Sequence, residues 1–260
     1  MARLLGTQRE GYSRSGYRLV IAFGAVIAIA MFIVLLFTSM QIVCYGNYDM
    51  YRQEYEKYNV LDDLPEGVTL SEEDGLMAVT KHMMKYLIGD KDTPDLQIQI
   101  RTAEGMRDFF NERELLHMAD CRVLFKKALQ LRYICIMLIL FLLVYGRFAI
   151  VRDRDAFLRA LGKGLLIGSA VFFGLVAILA IYMVADFSKA FVQFHLIFFD
   201  NDLWLLDPRD SLLINILPEG FFFDVVKKIL LIFVPATAVF LGVSVFIDRK
   251  YKDAKLTFRD

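Results

Sequence analysis

Three imidazoles are the ready-made acid–base groups of this 260-residue sequence: His82, His117 and His195. Histidine titrates near neutral pH, so a well-placed ring can take up and return a proton during group transfer. His117 sits in Glu114-Leu115-Leu116-His117-Met118-Ala119-Asp120. On a helix, Asp120 at i+3 and Cys121 at i+4 share its face, and Asp120 could orient the ring or hold one tautomer. The plain alternative is a surface histidine making a casual helix contact. His195 precedes a run dense in rings and acids, where it reads either as a base held where lipid meets water or as an interfacial histidine at a helix end. His82, in Lys81-His82-Met83-Met84-Lys85, reads as an ordinary residue of an amphipathic helix.

Other chemistry is poorly supported. Gly-x-Ser-x-Gly, Walker A and dinucleotide-binding fingerprints do not occur, and Ser188 and Ser211 lack a nucleophile motif. A metal site could be drawn from His117, Asp120 and His195, but no HExxH or CxxC spacing backs it. Histidine chemistry without a Ser or Cys nucleophile is the simpler expectation, with no metal and no cofactor. Cys44 and Cys121 could both face an oxidising compartment, although no spacing rule pairs them, and Cys135 falls in an apolar run.

The elements that must position these groups are apolar. The composition is 57% hydrophobic with a net charge of zero, which excludes a disordered chain and gives no sign of a nucleic-acid partner. Leu19–Val43 carries no charge, and neither do Gly164–Ala185 and Ile229–Ile247. Each is long enough to cross a bilayer as a helix, the last with a kink expected at Pro235. Tyr133–Gly146 is shorter, but Ala128–Leu131 and Phe148–Val151 extend it, and Arg132 and Arg147 can snorkel toward opposite head-group layers.

These runs predict an all-α integral membrane protein with four transmembrane helices and a small, mostly helical extracellular cap. The expected segments are a cytoplasmic tail (1–18), a first span (19–43), the cap (44–127), a second span (128–151) and a cytoplasmic loop (152–163). A third span (164–185), an outer aromatic and acidic loop (186–228), a fourth span (229–247) and a cytoplasmic tail (248–260) follow. The tails and the 147–163 loop hold 14 basic and 6 acidic residues, against 15 basic and 24 acidic in 44–127 and 186–228. A basic excess marks the cytoplasmic side, so both termini are expected inside.

Within the cap, Ser71-Glu72-Glu73-Asp74 resembles a helix start running to about Leu87. The alternation of Leu96, Ile98 and Ile100 suggests one short strand, and a helix is expected from about Asn111 into the second span. Between Phe187 and Phe223, nine aromatic side chains alternate with Asp200, Asn201, Asp202, Asp207, Asp210 and Glu219. An interfacial belt explains some of the rings but not the acids. Pro208 and Pro218 pin turns, and a re-entrant or surface-lying loop at the membrane face fits.

The motif His195-x-x-Phe198-Phe199-x-Asn201-Asp202-x-Trp204-x-x-Asp207-Pro208, followed by Leu213-Ile214 and Pro218-Glu219-x-Phe221-Phe222, resembles the signature of the bacterial lipoprotein intramolecular transacylase family. Phe110-Asn111-x-Arg113-Glu114-x-x-His117-Met118-x-Asp120 resembles that family's other outer motif. The likeness runs from about Gly16 to Asp248. Cys121 stands where a small aliphatic residue is expected. The resemblance implies acyl transfer from the sn-2 ester of a diacylglyceryl-modified lipoprotein cysteine to that cysteine's own α-amine, in a bacterial cell membrane. It maps the catalytic histidines onto His117 and His195; beside them, Glu114, Asp120, Phe194, Phe198, Phe199, Asn201, Asp202, Trp204 and Asp207 are expected to bind substrate or support the pair. The implied partners are a diacylated lipoprotein and membrane lipids, with no obligate protein partner. The competing expectation is a non-enzymatic sensor or assembly protein with a lipid- or ligand-binding cap. The enzyme reading requires His117 and His195 to converge within about 10 Å.

Overall fold

A bilayer offers backbone amides no partners, so uncharged runs such as Leu19–Val43 bond internally as helices. The computed structural model describes residues 12–258. Its order is α1 (Arg14–Gly46), α2 (Asp49–Lys57), a 3₁₀ turn (Val60–Asp63), α3 (Leu76–Ile88), β1 (Gln99–Thr102) and β2 (Gly105–Asp108). Then come α4 (Glu112–Tyr145), a π-helical turn (Gly146–Ile150), α5 (Arg154–Ala185), α6 (Phe187–Phe198), α7 (Leu212–Ile216) and α8 (Glu219–Tyr251). Among the described residues, α1, α4 with its π turn, α5 and α8 are the helices long and apolar enough to cross a membrane. The fold is thus a mostly helical, four-span membrane protein. Arg3, Arg9, Glu10, Arg259 and Asp260, which entered the charge count, lie outside the described residues.

The helices overrun the apolar runs that announced them. No proline or strong cap stops α4 between its polar start at Glu112 and Tyr145, so the second span is the later part of one long helix. At Pro235, α8 continues without a break, and Thr237 Oγ1 donates to the Val234 carbonyl (2.8 Å).

The chain forms two compact units. One comprises the chain up to Leu35, Arg132–Leu179 and the chain from Val234. In it, α1 and α5 cross at small residues. A Cβ added to Gly164 would sit 2.1 Å from the Ile21 carbonyl oxygen, and one on Gly168 would sit 2.3 Å from that of Ala25. Small residues let transmembrane backbones approach closely where no hydrophobic force drives them together. Phe32 stacks on Phe172 (4.5 Å) and meets Phe173 and Phe240 edge-on. Gly164→Leu is expected to destabilise the protein by ~1–3 kcal/mol through overpacking. Gly174→Leu, at a site with nothing within 4 Å, is expected to change little. Thermal melts of the two variants in detergent measure the difference.

The other unit comprises Leu36–Leu131 and Ala180–Phe233. Its core gathers Tyr51, Tyr55, Leu76, Met77, Met83, Phe109, Ile216 and Phe221. Two of its buried tyrosines pair their hydroxyls: Tyr51 donates to the Cys44 carbonyl (3.2 Å), and Tyr55 shares a bond with Thr80 (2.8 Å). Asp224 accepts from Lys57, Tyr58 (2.7 Å) and Lys227 (3.2 Å), and Lys228 pairs with Glu54 (2.7 Å).

Two expectations about this unit need correction. The Ser71 group makes a turn rather than a helix cap. Ser71 Oγ accepts from Asp74 N, Leu76 N closes back on the Thr69 carbonyl (2.7 Å), and α3 starts only after Gly75. The single strand is an antiparallel hairpin shifted toward the C-terminus, pairing Gln99 with Asp108 and Thr102 with Gly105. Its second strand is exposed along its whole length, so no apolar alternation marks it. Cys44 and Cys121, which no spacing rule pairs, are both free thiols.

Candidate functional site

Helix α4 begins with a reciprocal cap. Asn111 Oδ1 accepts from Glu114 N (2.9 Å), and Glu114 Oε2 accepts from Asn111 N (2.6 Å). This fixes the first turn and with it the direction in which His117, one turn on, leaves the helix. Helix α6 begins at Asp186, whose carboxylate accepts from Lys189 N (2.9 Å). It carries His195 in its last turn.

The two rings meet. Their centroids are 6.1 Å apart, with His117 7% and His195 8% exposed. Phe199 packs against both, at 5.2 Å from His117 and 5.6 Å from His195. Trp204 stacks on His195 at 4.9 Å, Phe191 lies 4.3 Å from it, and Phe194 meets it edge-on at 5.4 Å. Phe198 packs on Phe194 (4.7 Å), and both are exposed at the rim.

The hydrogen bonds assign each ring a face. His195 Nδ1 lies 2.7 Å from the Phe191 carbonyl oxygen. A carbonyl only accepts, so Nδ1 carries the hydrogen and Nε2 keeps its lone pair. His117 Nε2 lies 3.5 Å from Cys121 Sγ, while His117 Nδ1 is buried without a partner among the described residues. Burial lowers the His195 pKa below the ordinary histidine value, and the Phe191 carbonyl partly offsets this. Burial disfavours the imidazolium, so His195 is expected to be neutral at pH 7 and to protonate only at more acid pH. NMR titration of the ring should place its midpoint below ~6.5, and a higher midpoint would contradict this electrostatic picture.

The chain between α6 and α7 is held onto the first turns of α4. Arg113 pairs with Asp202 (3.3 Å), Asn111 Nδ2 donates to the Asp210 carbonyl (3.1 Å), and Asn201 Nδ2 donates to Asp120 Oδ2 (2.8 Å). Trp204 Nε1 donates in turn to the Asn201 carbonyl (3.0 Å). Fully buried Glu114 accepts from Ser211 Oγ (2.6 Å) and Leu213 N (2.7 Å) through the same oxygen.

Of the side chains expected here, His117, His195, Phe194, Phe199 and Trp204 form the cluster. Asn201 lies one hydrogen bond from it through Trp204, Asp120 one bond further through Asn201, and Asp120 makes no hydrogen bond to His117. Glu114 anchors α7. Asp202 and Asp207 are spent on arginines, and Arg209 holds the exposed Asp207 carboxyl down at about 2. His82 faces the Asp95 carbonyl (3.1 Å) and takes no part. Sequence reasoning gave no role to Phe191, Ser211 or Cys121. Among the described residues, no three His, Cys, Asp or Glu side chains form a group that could hold a metal ion.

A buried histidine pair packed among aromatic rings in a four-span helical membrane protein defines the class. The family model for lipoprotein intramolecular transacylase Lit matches residues 25–222, and the chain belongs to that family of membrane enzymes. Among solved structures, the chain is similar to the membrane-integral lipoprotein intramolecular transacylase Lit from Bacillus cereus. The two share 22% identity over 91% of this chain and 93% of that one, with a TM-score of 0.59. A histidine-to-alanine variant of that protein matches at 22% identity over 91% and 90% of the two chains, with a TM-score of 0.55. At this identity the likeness establishes the shared fold. No curated protein matches the sequence.

Proposed function

We propose that this enzyme moves an acyl chain from the sn-2 position of the diacylglyceryl group to the α-amine of the lipid-modified N-terminal cysteine of a lipoprotein. The product is the lyso-form, N-acylated and S-monoacylated. The observation that carries the reading is the pair of imidazoles 6.1 Å apart, one with its Nδ1 committed to a carbonyl and the other with a buried nitrogen that has no partner among the described residues.

His195 Nε2 takes the proton that the attacking amine loses, as the C–N bond forms and the ester C–O bond breaks. It then hands that proton to the departing glyceryl oxygen. His117 supports the reaction as a donor to the ester oxygen. Amine and ester belong to one molecule, so the barrier is largely one of geometry. Correct orientation is worth up to ~7–11 kcal/mol in favourable cases. Phe194, Phe198, Phe199 and Trp204 confine the acyl chains and exclude water, which limits plain ester hydrolysis. Asn201 and Asp120 hold Trp204 against His195, and Glu114, Asp202 and Asp207 shape the chain that carries it. The basic excess of 147–163 supports cytoplasmic termini and a site at the outer face of a bacterial membrane, with segment boundaries as read from the apolar runs.

Expression in a bacterial host that lacks the activity tests this directly. Mass spectrometry of a lipoprotein N-terminal peptide should show the N-acylated, S-monoacylated form. Recovery of the unchanged diacylglyceryl peptide alone, with the protein folded in the membrane, would exclude the reading.

A further inference from the structure

Among the described residues, no carboxylate hydrogen-bonds to His117. Asp120, which spacing placed on its face, accepts from Asn201 instead. What touches the ring is a thiol one turn further along α4, Cys121 Sγ at 3.5 Å from Nε2, in the position where the family resemblance predicted a small aliphatic side chain. The opposite nitrogen, Nδ1, is buried and unpartnered among the described residues.

We propose that the Cys121 thiol donates a hydrogen bond to His117 Nε2 and thereby fixes the tautomer that presents Nδ1–H to the substrate ester. Cys121 is thus a positioning residue for this enzyme. A neutral imidazole carries one ring hydrogen, so a thiol hydrogen directed at Nε2 places the ring hydrogen on Nδ1. The two histidines then have opposite tasks. The Phe191 carbonyl leaves His195 an acceptor nitrogen, and the Cys121 thiol leaves His117 a donor. An intramolecular acyl shift needs both: an acceptor at the amine, and a donor at the carbonyl oxygen where negative charge develops. The thiol keeps its proton and forms no bond to the acyl group. An aliphatic side chain at this position would leave Nε2 without this partner and the tautomer unspecified.

The inference rests on the proposed acyl transfer for its purpose but not for its test. Nitrogen NMR of histidine-labelled protein in micelles reports which ring nitrogen of His117 carries hydrogen, without any turnover. Nδ1–H is expected in the unmodified protein. Cys121→Ala should shift His117 toward Nε2–H and lower acyl transfer about tenfold, the scale of one net hydrogen bond. Cys121→Ser, whose hydroxyl also donates, should restore both. Nε2–H in the unmodified protein, or an unchanged tautomer in Cys121→Ala, would overturn the inference. Full transfer by a His117→Ala protein would instead remove the catalytic role of the ring and leave the tautomer result standing.

Discussion

Replacing His195 with alanine is expected to lower lyso-lipoprotein formation by ~10²–10⁴-fold, the usual contribution of a positioned acid–base group. The size follows from the ring's situation. Its Nδ1–H is committed to the Phe191 carbonyl, so the nitrogen left over is an acceptor in a site walled by Phe191, Phe199 and Trp204. Water entering the vacated volume would be a weaker base and would also hydrolyse the ester. The variant should therefore shift the product mixture from N-acylated peptide toward simple deacylation as well as slow the reaction. His117→Ala should slow transfer by a smaller factor, because removing one donor at a developing oxyanion leaves the base in place. Neither change should unfold the protein, since the His195 ring hydrogen bonds a carbonyl that already serves its own helix. Near-normal transfer by His195→Ala, with the protein folded by circular dichroism, would refute the assignment.

Much of this arrangement was legible in the sequence, for identifiable reasons. Apolar runs reveal bilayer crossings because charge inside hydrocarbon is costly. They do not reveal helix ends, because α4 runs through polar residues from Glu112 before it enters its apolar stretch. His195, Phe199 and Trp204 stood out because rings and acids are mixed at a density that an interfacial belt does not explain. Asp120 shows where the reading stopped. Helical spacing correctly put it on the face of His117, but its carboxylate turns to Asn201, 81 positions away in sequence, and spacing carries no information about such a partner. The partner of His195 is a backbone carbonyl, which every residue possesses and no motif encodes. Cys121 was visible twice, as the i+4 neighbour of His117 and as a departure from the family pattern, and only the 3.5 Å contact gives the two facts one meaning.

Glu114→Ala is expected to cost the most stability of any change near the site. One carboxylate satisfies Asn111 N, Ser211 Oγ and Leu213 N in a fully buried position. Its loss strands three donors, each worth ~1–3 kcal/mol when buried without an acceptor. Neighbouring losses are not additive, so ~3–5 kcal/mol is the expected total. Glu114→Gln should fall between, since its carbonyl oxygen can still serve Ser211 and Leu213 while its amide faces the Asn111 N–H donor to donor. The readout is built in, because Trp204 is the protein's single tryptophan and its ring stacks on His195. Glu114 holds the start of α7, and α4 holds Asn201 and Asp202 at the other end of the same loop. Loosening the α7 anchor should therefore expose the indole, red-shift its emission and lower the fluorescence melting temperature before global helix content is lost. An unshifted emission maximum in Glu114→Ala, together with an unchanged melt, would show that the loop carrying Trp204 is held by its other contacts and that the carboxylate is dispensable.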